Sequence, residues 1–187
     1  MTEILPTGAW NTKDEETHQF DTGLANALAT FLRHRSVIDF GCGAGGYVQR
    51  LAEVTDCRGY DGNPQTPSLT AGSCEHLDIS QPVQFTPADW VLCLEVAEHI
   101  PAKFEQTLLS NLDRHARYGI ILSWARPGQG GVGHVNEKPP EYVRATMRDY
   151  GYRLDEESSQ LIRSLSQLRW FRSNLMVFRK SPLGDAR

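Results

Sequence analysis

Residues 37–53 read VIDFGCGAGGYVQRLAE, and this stretch decides the fold. Val37 to Phe40 is a short β-prone run that stops at a glycine cluster, Gly41 to Gly46, after which Tyr47, Val48, Leu51 and Ala52 recur at helical spacing. Strand, tight turn and helix in that order form the opening unit of an α/β sheet. Glycine at four of these six positions lets the chain turn sharply and lets a ligand approach the main chain, with helix N–H groups beyond the turn.

Upstream, Phe20, Leu24, Ala27, Leu28, Phe31 and Leu32 fall at helical spacing behind the acidic stretch Asp14 to Glu16, which predicts a helix over 15–33. Downstream, Arg58 to Tyr60 leads into the turn signal Asp61 to Pro64 and predicts a second strand. Cys74 to Asp78 is a weaker third strand. Trp90 to Leu94 is the strongest, a continuous apolar run suited to a parallel strand covered on both faces. Phe104, Leu108, Leu109 and Leu112 mark a helix, Tyr118 to Leu122 a fifth strand, and a glycine-rich loop begins at Arg126. A helix over 139–150 and two late strands, 152–155 and 170–179, complete the chain. The alternation predicts an α/β fold with a doubly wound, mostly parallel sheet, helices on both faces and the late strands paired as an antiparallel edge.

With 187 residues, 40% hydrophobic, the composition excludes dominant disorder and favours a single domain, 1–187. A net charge of -4 disfavours a general nucleic-acid binder. Cys42, Cys57, Cys74 and Cys93 contain no C-x-x-C pair and fit neither a zinc site nor a secreted disulfide frame. Reduced, mostly buried thiols, no metal and a cytoplasmic location are therefore expected. No apolar run approaches the length of a membrane span, so no membrane partner is expected.

In an open α/β sheet, ligands bind outside the carboxyl ends of the strands, where strand order reverses. Gly41, Gly43 and Gly46 satisfy G-x-G-x-x-G, and Asp61 follows Gly41 by 20 residues, so a dinucleotide must be weighed. Asp39, two residues before the first glycine, puts negative charge where a pyrophosphate would lie and suits a cationic ligand better. Beyond the fifth strand, His134 lies directly after the glycine-rich loop, beside Asn136, and is a candidate substrate contact or general base. Trp124 and Arg126 flank the same loop. Trp10, His18 and Phe20 cluster as suits a partly apolar acceptor pocket. His34 and His115 end helices and read as C-terminal charge partners.

Residues 37–53, GYDGNP at 59–64 and DWVLCLEVAEHIP at 89–101, taken in order, resemble the glycine-rich motif, the second-strand acid and the fourth-strand motif of class I S-adenosylmethionine-dependent methyltransferases. The resemblance covers residues 37 to about 123 and implies a seven-stranded Rossmann-like sheet, completed by the late strands; Glu75 to Asp78 only approximates the family's third-strand pattern. It implies that Gly41, Gly43 and Gly45 pass the methionyl part of the cofactor, with Asp39 supporting the loop or its ammonium group. Asp61 would accept from both ribose hydroxyls, Asp78 would meet the adenine amino edge, and Glu95 would sit near the methionyl end. It further implies that His99 orients the loop after the fourth strand or acts directly, and that 1–33 is an N-terminal helical lid, carrying Trp10 and His18, over an α/β core at 34–187.

The family's N-methylating enzymes for DNA or glutamine often carry an N-P-P-Y/F-like tetrapeptide after the fourth strand, whereas this chain has Glu95, Val96, Ala97 and Glu98. The expected function is methyl transfer to a small-molecule oxygen or nitrogen acceptor, with His134 and His99 as catalytic candidates and Trp10, His18, Trp124 and Asn136 as substrate contacts. A cofactor-binding module without transfer, or a nicotinamide-dependent oxidoreductase, are the alternatives. The sequence leaves the oligomeric state open.

Overall fold

The computed structural model describes residues 3–14 and 18–181. In chain order they form a hairpin of β1 (Glu3–Ile4) and β2 (Trp10–Asn11), then α1 (Thr22–Phe31), β3 (Val37–Phe40), α2 (Gly46–Ala52), β4 (Cys57–Asp61), α3 (Thr66–Leu69) and β5 (Cys74–His76). The second half adds β6 (Ala88–Leu94), α4 (Glu105–His115), β7 (Ala116–Ser123), α5 (Pro140–Asp149), β8 (Tyr152–Leu154), α6 (Glu156–Leu165), α7 (Arg169–Asn174) and β9 (Met176–Lys180).

β3 to β9 make one seven-stranded sheet in the order β5-β4-β3-β6-β7-β9-β8. The neighbours from β5 to β7 pair in parallel, while β9 runs antiparallel to both β7 and β8 and so lies one place in from the edge. Strand order reverses between β3 and β6, whose residues Val37 and Trp90 stand in register. Two apolar layers cover the sheet. One face buries Ile38, Phe40, Val91 and Ile120 against Leu108, Leu112, Val143 and Met147 of α4 and α5. The other buries Val37, Leu92, Ile121 and Val177 against Leu24, Leu28, Ile162 and Phe171 of α1, α6 and α7. Alternate residues of each strand face opposite layers, which is why the central strands are mainly apolar, with Asp39 the buried exception in β3.

Three local expectations change. The first helix starts at Thr22, not at residue 15, because the fully buried Asp21 is its N-cap, accepting from the Leu24 N–H at 2.8 Å; residues 15–17 lie outside the described residues. Ahead of it, residues 3–11 form the hairpin, so the described part of the expected helical lid begins as β structure. The late stretch 170–179 is a strand only from Met176, and Arg169–Asn174 is helical. Asp155 caps the unforeseen α6 by accepting from the Ser158 N–H at 3.0 Å, with Glu156 and Glu157 in the first turn.

His115 also departs from expectation. It ends α4 fully buried, with Nδ1 2.7 Å from the Asn111 carbonyl and Nε2 accepting from the Phe85 N–H at 3.2 Å. That arrangement needs the neutral ring with the proton on Nδ1, and burial lowers its pKa accordingly; it is a connector and not a helix-end cation.

Candidate active site

The tips of β3, β4 and β6 meet in a cleft whose wall includes Gly41, Asp61, Asp78, Glu95 and His99, with Thr7 to Trp10 of the hairpin across from them. A second lobe shares Trp10, His18, Gly41, Glu95 and His99 and continues past Asp39, Tyr47, Gln129 and Phe171.

The glycine loop is held from both sides. Gly41 N–H donates to the Tyr60 carbonyl at 2.7 Å, and Gly43 N–H donates to Asp61 Oδ2 at 2.7 Å. Gly41, Gly43 and Gly45 all take left-handed backbone angles, φ 87, 55 and 77. At Gly41 the need is also spatial, since a Cβ would lie 2.1 Å from Val96 Cγ2. Gly45 is the N-cap of α2 and does not line the cleft.

Asp61 is fixed by its second oxygen too, Oδ1 accepting from the Asn63 N–H at 2.7 Å. Each carboxylate oxygen has a further lone pair, so two acceptor positions remain for a ligand. Asp78 lies just past β5 and accepts from the Ser80 N–H at 2.9 Å; this closes a turn with no helix behind it. Glu95 stands at φ 54, with Gln129 Nε2 donating to Oε2 and Asn174 Nδ2 to Oε1, both at 2.7 Å.

Asp39 is 1% exposed and its Oδ2 has no hydrogen-bond partner. Burial first, then Cys74 and Asp61, push this carboxyl up to about 8. His18 Nε2 and Trp10 Nε1 are also buried without partners. The Asp39 oxygen would be met by a cationic donor and the Trp10 N–H by an acceptor, so the cleft suits a polar ligand that carries both.

His99 lies edge-on to Trp10 and to His134, with ring centroids at 5.3 and 4.9 Å. Burial, then His134, pull it down to about 4, so it is neutral at physiological pH. His134 Nδ1 is 3.0 Å from Glu137 Oε1, and Glu137 also accepts from the Gly128 and Gly130 N–H groups, tying the glycine-rich loop together.

Of the residues singled out in sequence, the fold therefore brings Trp10, His18, Asp39, Gly41, Gly43, Asp61, Asp78, Glu95 and His99 onto one cleft, with His134 behind His99. It does not bring Trp124 and Asn136 there, which corrects their reading as substrate contacts. Trp124 is 1% exposed in the core, donating to the Asn136 carbonyl, while Asn136 Nδ2 donates to Glu105 Oε2 at 2.9 Å. Their apolar and amide groups are consumed in anchoring the loop. Missed by sequence reasoning were Gln129 and Asn174, the partners of Glu95, and Thr7 to Ala9. Nothing local to Asn174 signals a role, because its partner is 79 positions away. Glu98, fully buried beside His99, was visible in the fourth-strand motif but given no task.

A doubly wound sheet with acids at three strand tips around a single cleft defines a nucleoside-cofactor enzyme of the Rossmann-like kind. Residues 13–157 match the family model described as "Methyltransferase domain". The chain belongs to this family, as a class I S-adenosylmethionine-dependent methyltransferase. No curated protein matches it in sequence. Among solved structures it is similar to the sugar N-methyltransferase KedS8 from Streptoalloteichus sp. ATCC 53650, with 16% identity over 91% of this chain and 89% of that one and a TM-score of 0.67. It is similar also to magnesium protoporphyrin IX methyltransferase from Synechocystis PCC 6803 with bound S-adenosylhomocysteine, with 17% identity over 84% and 81% and a TM-score of 0.62. A third is N-methyltransferase NodS from Bradyrhizobium japonicum WM9 with the same product bound, with 16% identity over 84% of each chain and a TM-score of 0.53. Among the described residues no helix is long and apolar enough to cross a membrane.

Proposed function

We propose that the chain methylates a small-molecule acceptor, with Asp61, Asp78 and Glu95 holding S-adenosylmethionine and the acceptor entering beside His99 and His134. The observation that carries the reading is the convergence of Gly41, Asp61, Asp78 and Glu95 on one cleft. The sulfonium cofactor, when bound, supplies an electrophilic methyl group. Asp61, its carboxylate already fixed by two backbone N–H groups, offers its remaining lone pairs to the ribose hydroxyls. Asp78 suits the adenine amino edge. Gly41 and Gly43 allow close main-chain approach, and Asp39 ionises most readily when an ammonium or sulfonium stands near it.

The remaining task is positioning and exclusion of water. The hairpin crosses the cleft mouth with Gly8 so close to the His99 carbonyl that a Cβ would lie 1.9 Å from that oxygen. The hairpin, with His18 after it, thus serves as the cover, while α1 packs into an apolar layer of the sheet. Trp10 and His18 form its inner surface and are the acceptor contacts we retain. By name KedS8 methylates a sugar and the Synechocystis enzyme magnesium protoporphyrin IX, both small molecules, and the net charge of -4 argues against a nucleic-acid acceptor.

The test is calorimetric titration with S-adenosylhomocysteine and with NADH, followed by mass spectrometry of a metabolite extract incubated with enzyme and S-adenosylmethionine. Binding of the homocysteine product and a gain of one methyl group in a small metabolite are expected. Binding of NADH instead, or product binding with no methylated species, would overturn the reading.

A further inference from the structure

Glu98, His99 and His134 each present a ligand atom, and the three atoms lie within 4.8 Å of one another. The carboxylate is the unusual member. Glu98 is 0% exposed, and neither oxygen has a hydrogen-bond partner. A buried carboxylate that lacks a side-chain donor is stabilised by a cation, and beside Glu98 stand the backbone N–H groups of Glu98 and Ala125 and another acid, Glu95. His99 Nδ1 is likewise buried, with the backbone of Gly133 beside it and no side-chain partner.

The third member is set up from behind. His134 Nδ1 faces Glu137 at 3.0 Å, so donation to that carboxylate leaves the Nε2 lone pair free. A carboxylate holding the far nitrogen of an imidazole is the usual support of a metal-ligating histidine. Glu137 is fixed in turn by the Gly128 and Gly130 N–H groups at 2.8 and 2.9 Å.

We propose that Glu98, His99 and His134 bind one first-row divalent cation, such as Mn²⁺ or Co²⁺, whose open positions take the oxygen of an acceptor hydroxyl. Two imidazoles and one carboxylate suit these ions better than Mg²⁺ or Ca²⁺, which prefer oxygen alone, and three protein ligands leave the coordination incomplete. His99 lines both lobes of the cleft, and Gly131, which lines the second lobe, would bring a Cβ within 2.3 Å of His134 Nε2. The cation would therefore stand at the wall where the acceptor enters. It would hold a hydroxyl oxygen in place and lower its proton affinity. The expectation of no metal came from cysteine spacing, which says nothing about a carboxylate–imidazole set. The acceptor role rests on the methyl-transfer reading; the metal site does not.

The test uses the full chain, stripped with EDTA and dialysed, then titrated with Co²⁺ while its visible absorption is followed. Saturation at one equivalent is expected. Glu98→Gln, which keeps the side-chain shape, and His134→Ala, on a loop, should each weaken Co²⁺ binding by more than about tenfold, the scale on which even supporting partners of a ligand matter. Calorimetry with S-adenosylhomocysteine in parallel reports whether the cleft is intact in each variant. If the unmodified chain takes up no stoichiometric Co²⁺ or Mn²⁺, or if both variants bind like it, the site does not exist. Co²⁺ uptake without S-adenosylhomocysteine binding would retain the metal site and remove the methyl-transfer reading.

Discussion

The carboxylate of Glu95, at the end of β6, accepts a hydrogen bond from the side-chain amide of Asn174, at the end of α7, across 79 positions of sequence and 2.7 Å of space. The same amide also reaches the Trp124 carbonyl and Gln129 Oε1, each at 3.3 Å. Replacement Asn174→Ala removes a buried donor to a charged group, worth about 1.5–3 kcal/mol. A fall in Tm of roughly 3–12 °C is expected at the scale of a chain this size. S-adenosylhomocysteine affinity should fall with it, because Glu95 loses its orientation. Thermal unfolding and calorimetry check both; no change in either would mean that Glu95 is positioned by its backbone alone.

Asp39 gives a pH dependence with a definite sign. Its folded pKa is raised from 3.8 to about 8, so the folded state keeps a proton that the unfolded chain releases. The stability this contributes is complete below about pH 4 and is lost as pH rises toward 8, at about 1.4 kcal/mol per pH unit. Asp39→Asn should therefore be the more stable protein in ligand-free buffer at pH 8, with the gap closing toward pH 4. Unfolding curves of the two proteins across that range, parallel at every pH, would exclude the protonated carboxyl.

Asp61→Ala should weaken S-adenosylhomocysteine binding by about 1–3 kcal/mol, the scale for losing charge-assisted hydrogen bonds. The variant also strips Gly43 and Asn63 of the acceptor for their N–H groups, so the glycine loop loosens. Asp61→Asn, which keeps one oxygen, should fall between. Equal affinities across the three proteins by calorimetry would remove Asp61 from the ribose.

His134→Ala is expected to lower turnover by about 10²–10⁴-fold, the range for a missing positioned base or an equivalent activating group. Cofactor affinity should hold within about twofold, or roughly 0.4 kcal/mol. Single-turnover kinetics alongside calorimetry separates the two. Loss of folding instead would mean that the His134 to Glu137 contact is structural.

Asp21 tests the packing of the N-terminal helix. Fully buried, it accepts from the Leu24, Gln167 and Leu168 N–H groups at 2.8, 2.7 and 2.7 Å, joining α1 to the turn between α6 and α7. Removing a cap costs about 0.5–2 kcal/mol and stranding a buried donor about 1–3 more. A drop of at least about 3 °C in the Tm of Asp21→Ala is expected.

Much of this was legible because the informative residues are local. The strand–glycine–helix signal at 37–53 depends on neighbours within a few positions; Asp39 and Glu95 stand in or beside plain apolar runs, Asp61 opens a turn signal, and Asp78 follows the weaker third strand. What was hidden depends on distance. The hairpin at 3–11 has two residues per strand and little periodicity to read. Asp21 looked like one more polar residue in a helical pattern, because two of its three partners come from 146 and 147 positions on. Trp124 sat on a promising loop, yet its ring had a core to fill, and burial outweighed proximity to the site.

The reversed strand has a consequence for how the molecule is made. β8 has β9 as its ladder partner, and β7 has β9 on its outer side, so a nascent chain emerging from the ribosome carries both edges open until β9 is translated. Asn174 arrives just before that segment. Synthesis that halts at residue 170 would thus yield a half-zipped sheet with Glu95 adrift, exposed to aggregation and to proteases, and incapable of assembling the pocket that its earlier residues already encode.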